Sequence, residues 1–401
     1  MKPTTSPFAR PLYVMLKPAG ASCNMRCRYC YYLEKQALEP DVHELSDELL
    51  ETFTRQYIEA QTMREVLFTW HGGEPLLRPV SFYRRALELQ RRYAQGHVID
   101  NCLQTNGLLL NDEWCAFLAE NRFLVGISID GPRHLHDDYR RDAGGQPTFD
   151  RVMRSIELLK KHGVEWNAMA VVTRRTTQEP EAFYQFFKNI GCQYLQFTPI
   201  VERTMERTDG LRLAEGLNEG GQLTPESVDS EAWGHFLCAV YDEWVKADVG
   251  QVFVQLFDAV LANWVGEPTG LCSLSPGCGH AAVMEPGGDV YSCDHFVFPS
   301  YRLGNIRHDT LTAMLYDEQQ RAFARRKLSS LPRQCRECRY LHTCYGECPK
   351  NRFVRDRYNE PALNYLCAGY HRFFSHIQAD MDFMAGELRA GRAPANIMLR
   401  K

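Results

Sequence analysis

The chain has 401 residues, 44% of them hydrophobic and 11% aromatic, enough to bury a large core. A formal net charge of -4 gives no basic excess, so neither nucleic acid nor an anionic membrane surface is an expected partner. Residues 1–20 carry prolines and the charges of Lys2, Arg10 and Lys17 without a continuous apolar run, which argues against a signal peptide or membrane anchor and points to the cytoplasm. In that reducing compartment the 15 cysteines argue for metal rather than disulfides.

From Leu12 to about Ile200, short apolar runs alternate with amphipathic stretches, the pattern of successive βα units around a parallel sheet. Strands are expected at 12–16, 65–70, 98–103, 124–129, 165–172 and 194–198, and helices at 47–59, 82–93, 112–120, 149–161 and 181–189. Six units without a clear seventh or eighth predict an α/β fold, a partial (β/α)6 TIM-type barrel with one open side. Catalytic loops in such a sheet lie beyond the C-terminal ends of its strands. Suspicious motifs follow four of them: Cys23 to Cys30, Gly72-Gly73-Glu74-Pro75, Gln104-Thr105-Asn106-Gly107 and Asp130-Gly131-Pro132.

The first of these loops, Cys23-Asn24-Met25-Arg26-Cys27-Arg28-Tyr29-Cys30, sets three thiols at Cys-x3-Cys-x2-Cys. They can hold three corners of a [4Fe-4S] cube and leave the fourth iron open, an arrangement suited to catalysis more than to electron storage. A zinc knuckle competes, but zinc wants four closed ligands, and the next His downstream is only His43.

Beyond residue 200, residues 202–224 read as a surface loop, and helices are expected at 231–246 and 252–264. The basic cluster 321–327 reads as one solvated helix face. His134 and His136 read as polar surface or loop residues, and Cys102, Cys115, Cys192 and Cys238 as small buried thiols. Eight further cysteines, Cys272, Cys278, Cys293, Cys335, Cys338, Cys344, Cys348 and Cys367, make two complete sets of four. Two zinc ribbons would satisfy the same count, although a cluster-type loop in the same chain favours iron and sulfur. Residues 283–292, with Pro286-Gly287-Gly288-Asp289 at their centre, read as a hairpin that places Cys293 at a strand end.

The cluster loop followed by Tyr31-Tyr32, with Gly72-Gly73-Glu74-Pro75, resembles the radical S-adenosylmethionine (SAM) superfamily. The second cysteine field resembles the SPASM extension of its peptide-modifying members. Across 12–374, Trp70-His71-Gly72-Gly73-Glu74-Pro75, Cys293-Asp294-His295-Phe296 and Leu303-Gly304-Asn305-Ile306 resemble the anaerobic sulfatase-maturating enzymes. That resemblance implies a barrel over 1–201, a linker with helices over 202–266, a SPASM domain over 267–375 and a C-terminal helix and tail over 376–401.

It further implies three [4Fe-4S] clusters and SAM. Cys23, Cys27 and Cys30 would hold the SAM-binding cluster; Cys272, Cys278, Cys293 and Cys348 the nearer auxiliary cluster; and Cys335, Cys338, Cys344 and Cys367 the farther one. Tyr29, Gly73, Ser128, Arg140 and Val201 match SAM contacts, and Asp294 matches the proton acceptor. The implied reaction oxidises a Cys or Ser of an unfolded or nascent sulfatase polypeptide to Cα-formylglycine, with flavodoxin or ferredoxin as electron donor. His71 departs from members that carry Gln there, at a position expected to face the peptide. Two alternatives remain: another SPASM enzyme forming thioether or carbon–carbon crosslinks, whose frequent leader-binding domain does not fit in the residues before Cys23, and a zinc-held binding scaffold.

Overall fold

The structure, a computed structural model, describes residues 12–400 apart from 218 and 280. Six strands, β1 (Tyr13–Leu16), β2 (Glu65–Trp70), β3 (Val98–Thr105), β4 (Leu124–Ser128), β5 (Trp166–Val172) and β6 (Tyr194–Pro199), pair in parallel and in chain order. The expected partial barrel is present. Its helices start where side chains can satisfy the orphan amides of a first turn. Ser46 accepts from Leu49 N ahead of α1 (Asp47–Glu59), and Asn111 accepts from Trp114 N ahead of the helix at Asp112–Glu120. On α1 the inward stripe is Leu49, Leu50, Phe53, Tyr57 and Ile58, the three-to-four spacing of a helix laid on a sheet.

The sheet is larger than six strands. Residues 252–254, expected to be helical, instead supply an extended pair, Phe253–Val254, that adds in parallel beside β6 before the helix Gln255–Val265 begins. At the other edge Ala281–Met284 lies parallel to β1, with Tyr13 opposite Ala281 and Leu16 opposite Met284. It turns back antiparallel through Asp289–Tyr291, as the hairpin expectation required, and then pairs with Arg302–Asn305. One ten-stranded sheet therefore joins the barrel to the start of the cysteine field. The segment 202–224 is mostly irregular but carries a small hairpin, Arg203–Thr204 with Gln222–Leu223.

Two sequence expectations fail through burial. His136 is fully buried, its ring between Asp130 N and Thr148 Oγ1, whereas His134 is exposed as expected and pairs with Glu179. The basic cluster lies on the helix Glu318–Ser329, but only Arg321, Arg325 and Arg326 face water. Lys327 is fully buried because Gln320, Phe323 and Lys327, spaced three and four apart, share the inward stripe.

Candidate active site

Cys23, Cys27, Cys30 and Tyr31 line a cavity of about 770 Å³ at the C-terminal end of the parallel strands. Burial pushes the Cys23 thiol up to about 11 and the Cys27 thiol up to about 12. Converging buried thiols of this kind ionise only beside a compensating cation, and cluster iron supplies one, so the loop fits the group its spacing suggests.

Two other motifs hold that loop. Gly73 N donates to Gly20 O at 2.8 Å and Glu74 N to Ser22 O at 2.8 Å, pinning the backbone that leads into Cys23. A Cβ on Gly73 would stand 2.1 Å from Ser22 O, so no other residue fits there. The Glu74 carboxylate, buried and raised to about 7 by that burial, accepts from Leu76 N, Thr105 Oγ1 and Asn106 N. Asn106 Nδ2 in turn donates to Asn24 Oδ1 at 2.7 Å, inside the cluster loop.

Beneath the loop, Arg140 Nη1 donates to the Tyr29 hydroxyl at 2.9 Å, and that hydroxyl donates to Asp130. Val171 N holds the other oxygen of Asp130 at 3.0 Å. Arg140 Nε is buried and has no partner, an orphan donor that a bound carboxylate would satisfy. Ser128 ends β4 and is buried nearby in the sheet. Val201 is buried, and its carbonyl accepts from Lys350 Nζ at 2.8 Å, while the same ammonium pairs with Glu202 at 2.5 Å.

Asp294, just past the hairpin, meets the barrel directly. Lys17 Nζ lies 2.5 Å from Asp294 Oδ1, and the Tyr31 hydroxyl donates to Oδ2. Burial, the largest single influence, would raise the Asp294 carboxyl, but Lys17 foremost, together with His71 and His295, outweighs it and holds the group well below the usual carboxylate range. Lys17 Nζ also lies 2.9 Å from His71 Nδ1. Burial and Lys17 together push His71 down to about 3, so its imidazole is neutral.

The cysteine field separates into two electrostatic groups. Cys293 faces Cys278, Cys348 and Cys272, whereas Cys344 faces Cys367 and Cys335, and Cys367 faces Cys335 and Cys338. Cys348 thus stands within electrostatic reach of Cys272, Cys278 and Cys293.

A family model described as the radical SAM superfamily matches residues 18–187, and one described as an iron–sulfur cluster-binding domain, SPASM, matches 277–339. The serine-type anaerobic sulfatase-maturating enzyme of Bacteroides thetaiotaomicron is 59% identical over 99% of this chain and 97% of its own. The chain belongs to the anaerobic sulfatase-maturating enzymes. A cysteine-type member from Clostridium perfringens is 31% identical over 91% of this chain and 96% of its own. Among solved structures, native anSMEcpe with bound AdoMet and Cp18Cys peptide superposes with a TM-score of 0.83 at 30% identity, covering 94% of this chain and 100% of that one. Streptococcus suis SuiB, bound to its precursor peptide, shares the fold at 14% identity. The two domain matches imply iron–sulfur clusters and SAM in this sulfatase-maturating enzyme. Among the described residues no helix is long and apolar enough to cross a membrane.

Sequence reasoning passed over Lys17, and it marked Asp130 and Tyr31 only as parts of motifs without a role of their own. A lysine directly after an apolar strand and an aspartate directly after another were the available signals, and both mark the catalytic end of a parallel sheet.

Proposed function

We propose that this enzyme oxidises a serine of a sulfatase polypeptide to Cα-formylglycine. The observation that carries the reading is the carboxylate of Asp294, tied to Lys17 and to Tyr31, of which Tyr31 lines the same cavity as Cys23, Cys27 and Cys30. The serine preference rests on the 59% identity to a serine-type relative. Cys23, Cys27 and Cys30 would hold one cluster, and the two groups of four cysteines would hold one each. When bound, the cofactors would supply hydrogen-atom abstraction at the substrate Cβ and an acceptor for the remaining electron.

The chain's own residues carry the proton. The Asp294 carboxylate accepts it from the substrate hydroxyl as the carbon–oxygen double bond forms, so one hydrogen atom, one proton and one electron account for the oxidation. Tyr31 and Lys17 fix the two carboxylate oxygens. The unpartnered Arg140 Nε would meet the SAM carboxylate, and Tyr29, which lines the cavity, with Gly73, Ser128 and Val201, which lie outside its lining, would be the further SAM contacts that the family resemblance implies. A flavodoxin or ferredoxin in the cytoplasm would reduce the first cluster.

The test is anaerobic incubation of the reconstituted, reduced enzyme with SAM and two sulfatase-motif peptides differing only in Ser or Cys. Formylglycine with 5′-deoxyadenosine is expected, most rapidly from the serine peptide. Deoxyadenosine without modified peptide would overturn the maturase reading, and faster turnover of the cysteine peptide would overturn the serine preference.

A further inference from the structure

Among the described residues, two cations, Lys327 and Arg352, are buried in the cysteine-rich region with no carboxylate in ion-pair contact. Lys327 is fully buried, and its ammonium donates to the carbonyls of Cys272 at 2.6 Å and Ser273 at 2.8 Å. Arg352 is 1% exposed. Its guanidinium donates to Gly346 O, Tyr345 O, Glu347 O and Lys327 O at 2.5 to 2.9 Å. The neutral carbonyls satisfy hydrogen bonding but not charge, and a buried, uncompensated cation costs several kcal/mol by the usual order of magnitude.

The compensating charge comes from the thiols and from the Glu347 carboxylate. Lys327 faces Cys278, Cys348 and Cys272, all in one ligand group. Arg352 faces Cys348 of that group, then the Glu347 carboxylate, then Cys335 and Cys344 of the other group. The carboxylate of Glu347 sits between the groups but spends its Oε2 on Asn351 and Asn364. The first group thus meets both buried cations, and the second meets Arg352 alone.

We propose that Lys327 is a positioning residue for electron transfer, raising the reduction potential of the auxiliary cluster held by Cys272, Cys278, Cys293 and Cys348 so that this cluster, rather than its neighbour, takes the electron from the substrate. The proposal rests on the ligand sets given above. Reduction adds one negative charge to a thiolate-ligated cluster, and a fixed ammonium in a low-dielectric setting stabilises the more negative state. The placement suits the reaction, because Cys293 is bonded in sequence to Asp294, the group that takes the substrate proton.

The experiment uses full-length protein carrying Cys27→Ala, so that only the auxiliary clusters contribute, and follows both clusters by electron paramagnetic resonance during a potentiometric titration. Lys327→Met and Lys327→Gln are expected to keep the iron content and lower the midpoint potential of one cluster, leaving the other within error. Lys327→Arg is expected to restore it. Gln can still donate to Cys272 O, so an equal downward shift in Met and Gln assigns the effect to charge. Unchanged potentials at full iron content would overturn the proposal, as would loss of a cluster in both uncharged variants, which would make Lys327 purely structural. Separately, if Cys278→Ala left both signals intact, the ligand sets themselves would fall.

Discussion

Lys17 and Asp294 meet at 2.5 Å although one directly follows the first strand of the barrel and the other follows a hairpin in the cysteine-rich region. The contact exists because Ala281–Met284 pairs in parallel with β1, so the chain leaving β1 and the turn beyond the hairpin emerge side by side. Lys17 N even continues that pairing, donating to Met284 O at 3.1 Å. The ion pair keeps a buried carboxylate ionised. Without Lys17, burial is the first influence left, and it raises the carboxyl. Lys17→Met is therefore expected to cleave SAM normally while formylglycine per deoxyadenosine falls on the order of 10–100-fold, as for other supporting residues. The sign of the pH effect follows. A raised carboxyl ionises only at higher pH, so the variant's yield should recover as pH rises while that of the wild type stays level. A parallel loss at every pH would refute the electrostatic role.

Removing the carboxylate itself separates proton transfer from radical generation. Asp294→Asn retains the Tyr31 side of the site and the shape of the turn, so all clusters and SAM cleavage are expected to persist. Formylglycine should drop by about 10²–10⁴, the usual weight of a general base. Full product from this variant, measured by mass spectrometry, would exclude Asp294 as the acceptor.

Gly73 offers a test of the cluster loop that touches no ligand. Its missing Cβ would collide with Ser22 O at 2.1 Å, and Ser22 O already accepts from Glu74 N. Gly73→Ala must displace the backbone before Cys23, at a cost of about 3 kcal/mol, the upper end for overpacking. Reconstituted Gly73→Ala should lose the iron of the Cys23, Cys27 and Cys30 site and all SAM cleavage, while the cysteine-field signals remain. Wild-type iron and cleavage would show that the loop tolerates the shift.

How much of this was visible in the sequence depended on the range of the contact. The six parallel strands and their helices follow from local periodicity. The pairing of Ala281–Met284 with β1 links segments far apart, and no local pattern encodes it. Lys17 therefore read as a lone charge near the N-terminus. The electrostatic reach of Cys348 to Cys272, Cys278 and Cys293 is of the same kind. Lys327 and His136 failed differently, because residue type suggested water where helix phase and loop packing put both inside.

His136 gives a stability prediction with a definite sign. Asp130 N donates to Nδ1 at 3.3 Å, so Nε2 carries the hydrogen and donates to Thr148 Oγ1 at 3.0 Å, whose hydroxyl passes on to Arg140 O at 2.8 Å. Burial, then the nearby Arg140 charge, pushes the imidazole well below its ordinary value. The unfolded chain binds a proton near pH 6.5 that the folded chain refuses, so the contribution is complete above about 6.5 and is lost as pH falls below it. One such proton changes stability by at most about 1.4 kcal/mol per pH unit. His136→Gln keeps a donor toward Thr148 and removes the titrating ring. Anaerobic denaturant titrations at pH 7.5 and 5.5 should show the wild type losing more stability on acidification than His136→Gln, by about 1 kcal/mol. Equal losses would mean that the imidazole becomes charged in the folded state, which the hydrogen bond accepted by Nδ1 forbids.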